Sequence, residues 1–172
     1  MLYLSFMRHA KADCTNYDGN DFNRPISEKG RKKTEIISEH LSEKKIIFDL
    51  IFCSPSIRTK QTLECLIKNN KLKKTKILED YDLYDGNEDS FLLKLYNLKK
   101  YKNLLIISHE PQIESFTNYF LSKADNKEKS LDFVFVTSSI ITIEFKSDLW
   151  KNISSFNAKL KTFIDPNTLI TK

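Results

Sequence analysis

Short apolar runs, separated by stretches with helical periodicity, are the sequence feature that most limits the fold of this chain. The runs that predict strands are residues 2–7, 48–53, 75–78, 104–107, 133–136, 140–145 and 153–156. The helices predicted between them include one that Ser27 caps and that runs to about Glu43, and one that begins at Glu110 and Pro111. Because helices separate most of the strands, the pattern predicts an α/β fold with a mostly parallel sheet.

The length of 172 residues suits one domain with a sizeable core, so we expect residues 1–172 to form a single domain. Only 3 Gly and 4 Pro residues are present, which excludes collagen-like and proline-rich architectures. The first apolar run has no basic segment before it and ends at Arg8, so it is too short for a signal peptide or a membrane span. A cytoplasmic protein with no membrane partner is therefore expected.

Charge and cysteine usage exclude further classes of function. Lys and Arg number 28 against 23 Asp and Glu, a net charge of +5 that comes mostly from lysine. Because no dense basic patch with motif support is visible, nucleic acid is not an expected partner, whereas phosphorylated partners remain reasonable. Three cysteines without CxxC spacing indicate neither a disulfide framework nor a zinc site: Cys14, Cys53 and Cys65.

Histidine and arginine residues follow the predicted strands at the point where each strand ends. Arg8 and His9 close the first strand, Arg58 follows the second, and His109 follows the strand before the Pro111 helix. Ligands of open α/β sheets bind outside the carboxyl ends of the strands, so these side chains are expected to share one pocket. The third histidine, His40, is predicted on the polar side of a helix.

This combination of residues suits phosphoryl transfer. Arg58 lies in a first helical turn, where the helix dipole disfavours a cation unless an anion binds between the guanidinium and the backbone N–H groups. A neutral imidazole such as that of His9 can attack phosphorus, while arginines hold the non-bridging oxygens with bidentate hydrogen bonds. Such chemistry is mainly positioning and charge stabilisation, and the sequence has no metal-ligand spacing and no nucleotide-binding P-loop motif.

Several segments resemble a known family. Residues 7–10 (MRHA) resemble the RHG signature of the histidine phosphatase, or phosphoglycerate mutase-like, superfamily. Four more segments resemble, in family order, the short SixA-type phosphohistidine phosphatases: residues 24–30 (RPISEKG), 53–62 (CSPSIRTKQT), 107–111 (ISHEP) and 135–140 (FVTSSI), the last as a late strand. Ala10 replaces a commoner glycine, a change expected to be tolerated where the backbone angles are not restricted to glycine.

The resemblance implies a three-layer α/β/α fold of the phosphoglycerate mutase-like type. It also implies that His9 is the nucleophile of a phosphatase, with Arg8, Arg58 and His109 completing the catalytic set. Phosphate would be bound by Arg8, Arg24, Arg58 and His109, of which Arg24 is indicated by the resemblance alone. A metal ion and a cofactor are not expected.

The substrate implied by the resemblance is phosphohistidine on a protein. A short chain has no room for the caps of larger relatives, and an imidazole leaving group needs less acid assistance than an alcohol. One alternative is a phosphatase or mutase acting on small phosphate monoesters, for which Asp85 is the candidate general acid. The other is a phosphate-reading regulatory module without turnover, although pure binding does not require a nucleophile. The sequence does not indicate an oligomeric state.

Overall fold

Strands within the described part of the chain form one six-stranded sheet, with helices packed on it. The structure is a computed structural model that describes residues 1–15, 17–68, 75–123 and 134–169. The strands are β1 (Leu2–Arg8), β2 (Leu50–Cys53), β3 (Lys76–Glu79), β4 (Asn103–Ser108), β5 (Ile140–Phe145) and β6 (Ala158–Ile164). The helices are α1 (Glu28–Glu43), α2 (Ile57–Lys68), α3 (Asp82–Asp85), α4 (Glu88–Tyr96), α5 (Gln112–Leu121) and α6 (Pro166–Leu169). None of the helices in these ranges combines the length and apolar character needed to cross a membrane.

The strand order is β3-β2-β4-β1-β5-β6, and the first four strands along the chain run parallel. Strand β5 is antiparallel to β1, and β6 is antiparallel to β5. The mostly parallel sheet predicted from the sequence is confirmed. Strands β1 and β4 pair in register up to Arg8 and Ser108, so the residues that follow them leave the sheet side by side.

Two apolar layers flank the sheet, as the alternation of side chains along a strand requires. On one face, Phe6 packs with side chains of α4 and α5 that include Phe91, Phe116 and Phe120. On the other face, Met7 belongs to a separate cluster with residues of α1 and α2: Ile37, Leu41, Leu63 and Leu66. The three-layer α/β/α fold is therefore confirmed.

Helix α1 shows how local sequence determines an element boundary. The hydroxyl oxygen of Ser27 accepts a hydrogen bond from the Gly30 N–H at 3.1 Å, and the helix runs from Glu28 to Glu43. This is the N-cap and length that the sequence predicts. The buried side chains of the helix then face α2 and the sheet.

Two of the strand predictions are wrong, because a buried apolar side chain can also belong to a loop or a turn. In the predicted strand at 133–136, Phe133 lies outside the described residues, and residues 134–139 form a loop in which Phe135 is buried. The chain turns at Ser138, whose φ is 70°, before β5 begins at Ile140. Residues 153–156 form a turn that buries Ile153, and the edge strand next to them is β6. Its alternating lysines and exposed positions hide the strand from an apolar-run analysis.

Candidate active site

The polar side chains predicted to meet at the carboxyl ends of the strands do meet there. Arg8 ends β1, His9 follows it, Arg58 lies in the first turn of α2, and His109 follows β4. The ring centroids of His9 and His109 are 5.0 Å apart. The parallel register of β1 with β4 brings the two histidines together, since both strands end at the same level.

The hydrogen bond of His9 determines which ring nitrogen is free. Its Nδ1 lies 2.7 Å from the carbonyl oxygen of Ala10. A carbonyl can only accept, so Nδ1 carries the proton and Nε2 keeps its lone pair. His9 is 8% exposed, and its backbone N–H donates to the carbonyl of Ser108. The imidazole is thus held in the tautomer that a nucleophile attacking through Nε2 requires.

The surroundings of His9 keep it neutral. Burial, together with the positive charges of Arg58, Arg8 and Arg24, lowers its pKa from 6.5 to about 4, against the opposing effect of the Ala10 hydrogen bond. All three arginines implied by the family resemblance therefore act electrostatically on this ring. An imidazole surrounded by guanidinium groups remains available as a nucleophile at neutral pH.

His109 holds Arg58 in place. Its Nδ1 accepts a hydrogen bond from the Nε of Arg58 at 3.2 Å, so its proton lies on Nε2, which donates to the hydroxyl of Ser54 at 2.8 Å. Burial lowers the pKa of His109 to about 3, with smaller contributions from His9 and Arg58. Both ring nitrogens are engaged with protein groups, and the neutral ring orients the guanidinium.

A carboxylate that the sequence analysis did not single out joins two of the arginines. Asp21 lies in the 3-10 turn Asp21–Asn23, and its Oδ2 accepts from Nη2 of Arg58 at 2.9 Å. Its Oδ1 lies 3.2 Å from Nη2 of Arg24, and Arg58 also donates to its carbonyl oxygen at 2.6 Å. Partial burial acts to raise the pKa of Asp21, but the charge and hydrogen bond of Arg58, with Arg24, lower it overall. Arg24 and Arg58 are therefore positioned to share one anion.

Further hydrogen-bond donors of the arginines have no partner among the described residues. The Nε groups of Arg8 and Arg24 are buried without a hydrogen-bond partner there. Arg8 uses its Nη1 to donate to the carbonyl of Phe135, which directs its guanidinium. Buried unpaired N–H groups are costly, and an oxyanion would satisfy them.

The remaining motif residues support the segment that carries His9. The N–H of Ala10 donates to the hydroxyl of Thr62 at 2.9 Å, which ties this segment to α2. A Cβ at Gly30 would lie 2.5 Å from the carbonyl oxygen of Lys11, so only glycine allows α1 to approach so closely. Within the described ranges, positive φ angles outside glycine occur at Lys45 and Ser138, and Ala10 is accommodated as expected.

Asp85 differs from the other candidates because it is exposed at the end of α3. Its neighbour Tyr84 is the residue of α3 that contacts the site, with a ring centroid 5.7 Å from that of His109. The Tyr84 hydroxyl lies 3.4 Å from Oδ2 of Asp21. The described residues hold no group of three or more His, Cys, Asp and Glu side chains suited to a metal ion.

Titrating His9 by NMR should give a midpoint near pH 4 instead of 6.5, since burial beside three guanidinium groups opposes protonation. Activity should fall as the pH drops through about 4, because protonated His9 has no lone pair. The free energy of unfolding should decrease as the pH falls from 6.5 to 4, because in this range the unfolded chain binds this proton and the folded protein does not. The signal is assigned by its loss in His9→Ala, and a midpoint near 6.5 would contradict this account.

Comparison with known proteins supports the motif-based resemblance. The model of the histidine phosphatase superfamily (branch 1) matches residues 4–87, which include Arg8, His9, Arg24 and Arg58. An uncharacterized protein of Picosynechococcus sp. is 36% identical over 64 residues, which cover 37% of this chain and 38% of that protein. The resemblance predicted from the sequence is confirmed, and the family match supports a phosphatase of the hydrolase class.

Solved structures share the fold along nearly the whole chain. The SixA protein of Agrobacterium tumefaciens superposes with a TM-score of 0.78 at 21% identity, over 96% of this chain and 98% of that one. The protein histidine phosphatase SixA complexed with tungstate gives 0.77 at 21% identity, over 98% and 99%. The alpha-ribazole phosphatase of Shigella flexneri gives 0.67 at 14% identity, over 96% and 97%. At these identities the likeness concerns the fold, which is phosphoglycerate mutase-like.

Proposed function

We propose that this chain, which has the signature and the fold of the histidine phosphatase superfamily, is a metal-independent phosphatase with His9 as its nucleophile. Its preferred substrate is phosphohistidine on a protein. The observation that carries this proposal is the neutral His9 ring, whose Nε2 keeps its lone pair. The ring lies beside Arg24 and Arg58, which both contact the carboxylate of Asp21. We place the reaction in one domain, residues 1–172, of a cytoplasmic protein whose partner is neither nucleic acid nor membrane.

The first step transfers the phosphoryl group to His9. The Nε2 lone pair attacks phosphorus, the bond from phosphorus to the substrate nitrogen breaks, and its electron pair stays on the departing imidazole. Arg8, Arg24 and Arg58 neutralise the charge on the non-bridging oxygens, and His109 keeps Arg58 oriented. When substrate binds, the phosphoryl group must replace the carboxylate of Asp21 as the anion that Arg24 and Arg58 contact.

The second step regenerates the protein. Water attacks phosphorus of phospho-His9, the bond to Nε2 breaks, and inorganic phosphate leaves with the oxygen of the water. The proton that water loses is taken up by the phosphate product. The Nδ1–H bond to Ala10 stays in place during both steps, so the ring returns to its starting tautomer.

The preference for phosphohistidine rests on the leaving group. A bond from phosphorus to imidazole breaks with little acid assistance, whereas an alkoxide needs a proton donor. Asp85, the candidate donor for a monoester, is exposed, and the rim position next to it is occupied by Tyr84. A monoester phosphatase is the second candidate, because the alpha-ribazole phosphatase of Shigella flexneri shares this fold. A purely phosphate-reading module is disfavoured, since binding alone does not require His9 as a neutral nucleophile.

Replacing Asp85 with asparagine should change kcat/KM for a phosphohistidine protein by less than about twofold, since no acid is required for imidazole departure. The measurement compares wild type and Asp85→Asn on a phosphohistidine protein and on several phosphate monoesters. Asp89→Asn, which removes another exposed carboxylate of the same region, is the matched control. A general acid contributes about 10²-fold or more, so a monoester preference that collapses by that factor in Asp85→Asn would overturn the substrate assignment.

A further inference from the structure

A series of aromatic rings leads from His9 to the protein surface. The His9 ring lies 5.0 Å from that of His109, and Tyr84 contacts His109 edge-on at 5.7 Å. Phe22 contacts Tyr84 edge-on at 4.9 Å, and Tyr81 stacks on Phe22 at 6.4 Å. Tyr81 and Tyr84 also contact each other at 6.0 Å. The rings of Phe22, Tyr81 and Tyr84, here termed the aromatic wall, thus form one cluster that adjoins the candidate active site.

The aromatic wall is built by two separate segments that both reach the arginine pocket. Phe22 follows Asp21, whose carboxylate joins Arg24 and Arg58. Tyr84 lies under the guanidinium of Arg58, with 5.9 Å from the Arg58 Cζ to the ring centroid. Rings contributed by both segments therefore flank the place where the non-bridging oxygens of a phosphoryl group would be held.

The aromatic wall reaches solvent. Tyr81 is 62% exposed, although it contacts both other rings of the wall. An exposed aromatic cluster beside a charged pocket is typical of a ligand-binding surface. The wall supplies flat apolar faces and ring edges, and Asp21 supplies a negative charge next to it.

We propose that the aromatic wall is the subsite for the leaving group of the substrate and that it takes the imidazole ring of phosphohistidine. This inference rests on the proposed function and adds the residues that select the substrate. A ring gains stacked or edge-on contacts with Phe22, Tyr81 and Tyr84, and these contacts are unavailable to a leaving group without a ring. The phosphorylated ring, protonated at its other nitrogen, is a cation until its bond to phosphorus breaks and it leaves as neutral imidazole, and the ring faces and the carboxylate of Asp21 both favour that cation.

The test measures selectivity for a ring. The ratio of kcat/KM for a phosphohistidine peptide to kcat/KM for phosphoramidate, which has no ring, is determined for wild type and Tyr81→Leu. We expect the ratio to fall about three- to tenfold in Tyr81→Leu, in line with the strength of aromatic contacts. Phe22→Leu should lower it in the same direction. Tyr119→Leu removes a tyrosine of α5 that is 52% exposed, and it should leave the ratio unchanged.

A binding measurement separates this proposal from the proposed function. Phenylphosphonate should bind wild type more tightly than methylphosphonate, and Tyr81→Leu should reduce that difference about three- to tenfold. An unchanged ratio and an unchanged binding difference in both wall variants would overturn the subsite. An equal loss for both substrates would also overturn it, since it would show a structural role. If wild type lacks turnover of phosphohistidine that depends on His9, the proposed function fails, whereas the phosphonates still decide whether the wall binds rings.

Discussion

Replacing His9 with alanine is expected to lower kcat/KM by about 10³- to 10⁶-fold, the range expected when a covalent nucleophile is removed. The loss should fall on kcat, because the arginines that bind the phosphoryl group remain. The fold should persist, since the His9 side chain contributes polar contacts at the rim of the sheet and belongs to neither of the two large apolar clusters. Residual turnover would come from charge stabilisation by the guanidinium groups.

The measurement combines activity with a chemical trap. Wild type, His9→Ala and His40→Ala are assayed on a phosphohistidine protein in the presence of a chelator, and circular dichroism checks folding. Labelled substrate should place acid-labile phosphate on His9 of the wild type, and His40→Ala should label normally because His40 lies on α1, away from the strand ends. Near-normal activity in His9→Ala would show that another group is the nucleophile.

Replacing Arg58 with lysine is expected to lower kcat/KM by about 10²- to 10³-fold, as observed when one preorganised donor to a transition state is removed. Arg58 uses three N–H groups in three directions: Nε to His109, Nη1 to the carbonyl of Asp21 and Nη2 to its carboxylate. An ammonium group is a point charge that cannot reproduce this planar arrangement. The neutral His109 would also lose its donor, and its ring would be less well oriented.

Two comparisons distinguish an arginine that binds phosphate from one that has only a structural role. Binding of inorganic phosphate, measured by calorimetry, should weaken in Arg58→Lys and in Arg24→Lys, because both side chains contact the same anionic group in this structure. Arg31→Lys is the control, since Arg31 donates to the Cys65 sulfur between α1 and α2. Full activity of Arg58→Lys with unchanged phosphate binding would show that this arginine is peripheral.

The gathering of His9, Arg58 and His109 could be predicted because it depends on two local features. Each residue follows an apolar run, and parallel strands end at the same edge of a sheet. The cap at Ser27 and the extent of α1 were equally accessible, since a hydroxyl that caps a helix acts within three residues. Arg24 could be predicted only from the family resemblance, because its loop has no periodic pattern.

Asp21 and the aromatic wall could not be found in this way. The carboxylate of Asp21 meets Arg58 across 37 positions of the chain, and Tyr84 meets His109 across 25 positions. Asp21 lies in a 3-10 turn and Tyr84 in the four-residue helix α3, short elements whose direction depends on what they pack against, and both residue types are common on surfaces. The only local sign of Asp21 was its position three residues before Arg24, a spacing that most often marks a solvated pair.

The sequence by itself determined which residues end the strands, where the helices begin and which chemistry those residues can perform. Hydrophobic periodicity and capping act over a few residues, so they can be recognised in one dimension. The tertiary structure alone decided the tautomers of His9 and His109, the sharing of one carboxylate by Arg24 and Arg58, and the position of Tyr84 in place of Asp85 at the rim. These features are contacts between segments far apart in the chain, and their geometry exists only after the sheet has assembled and burial has removed water from the pocket.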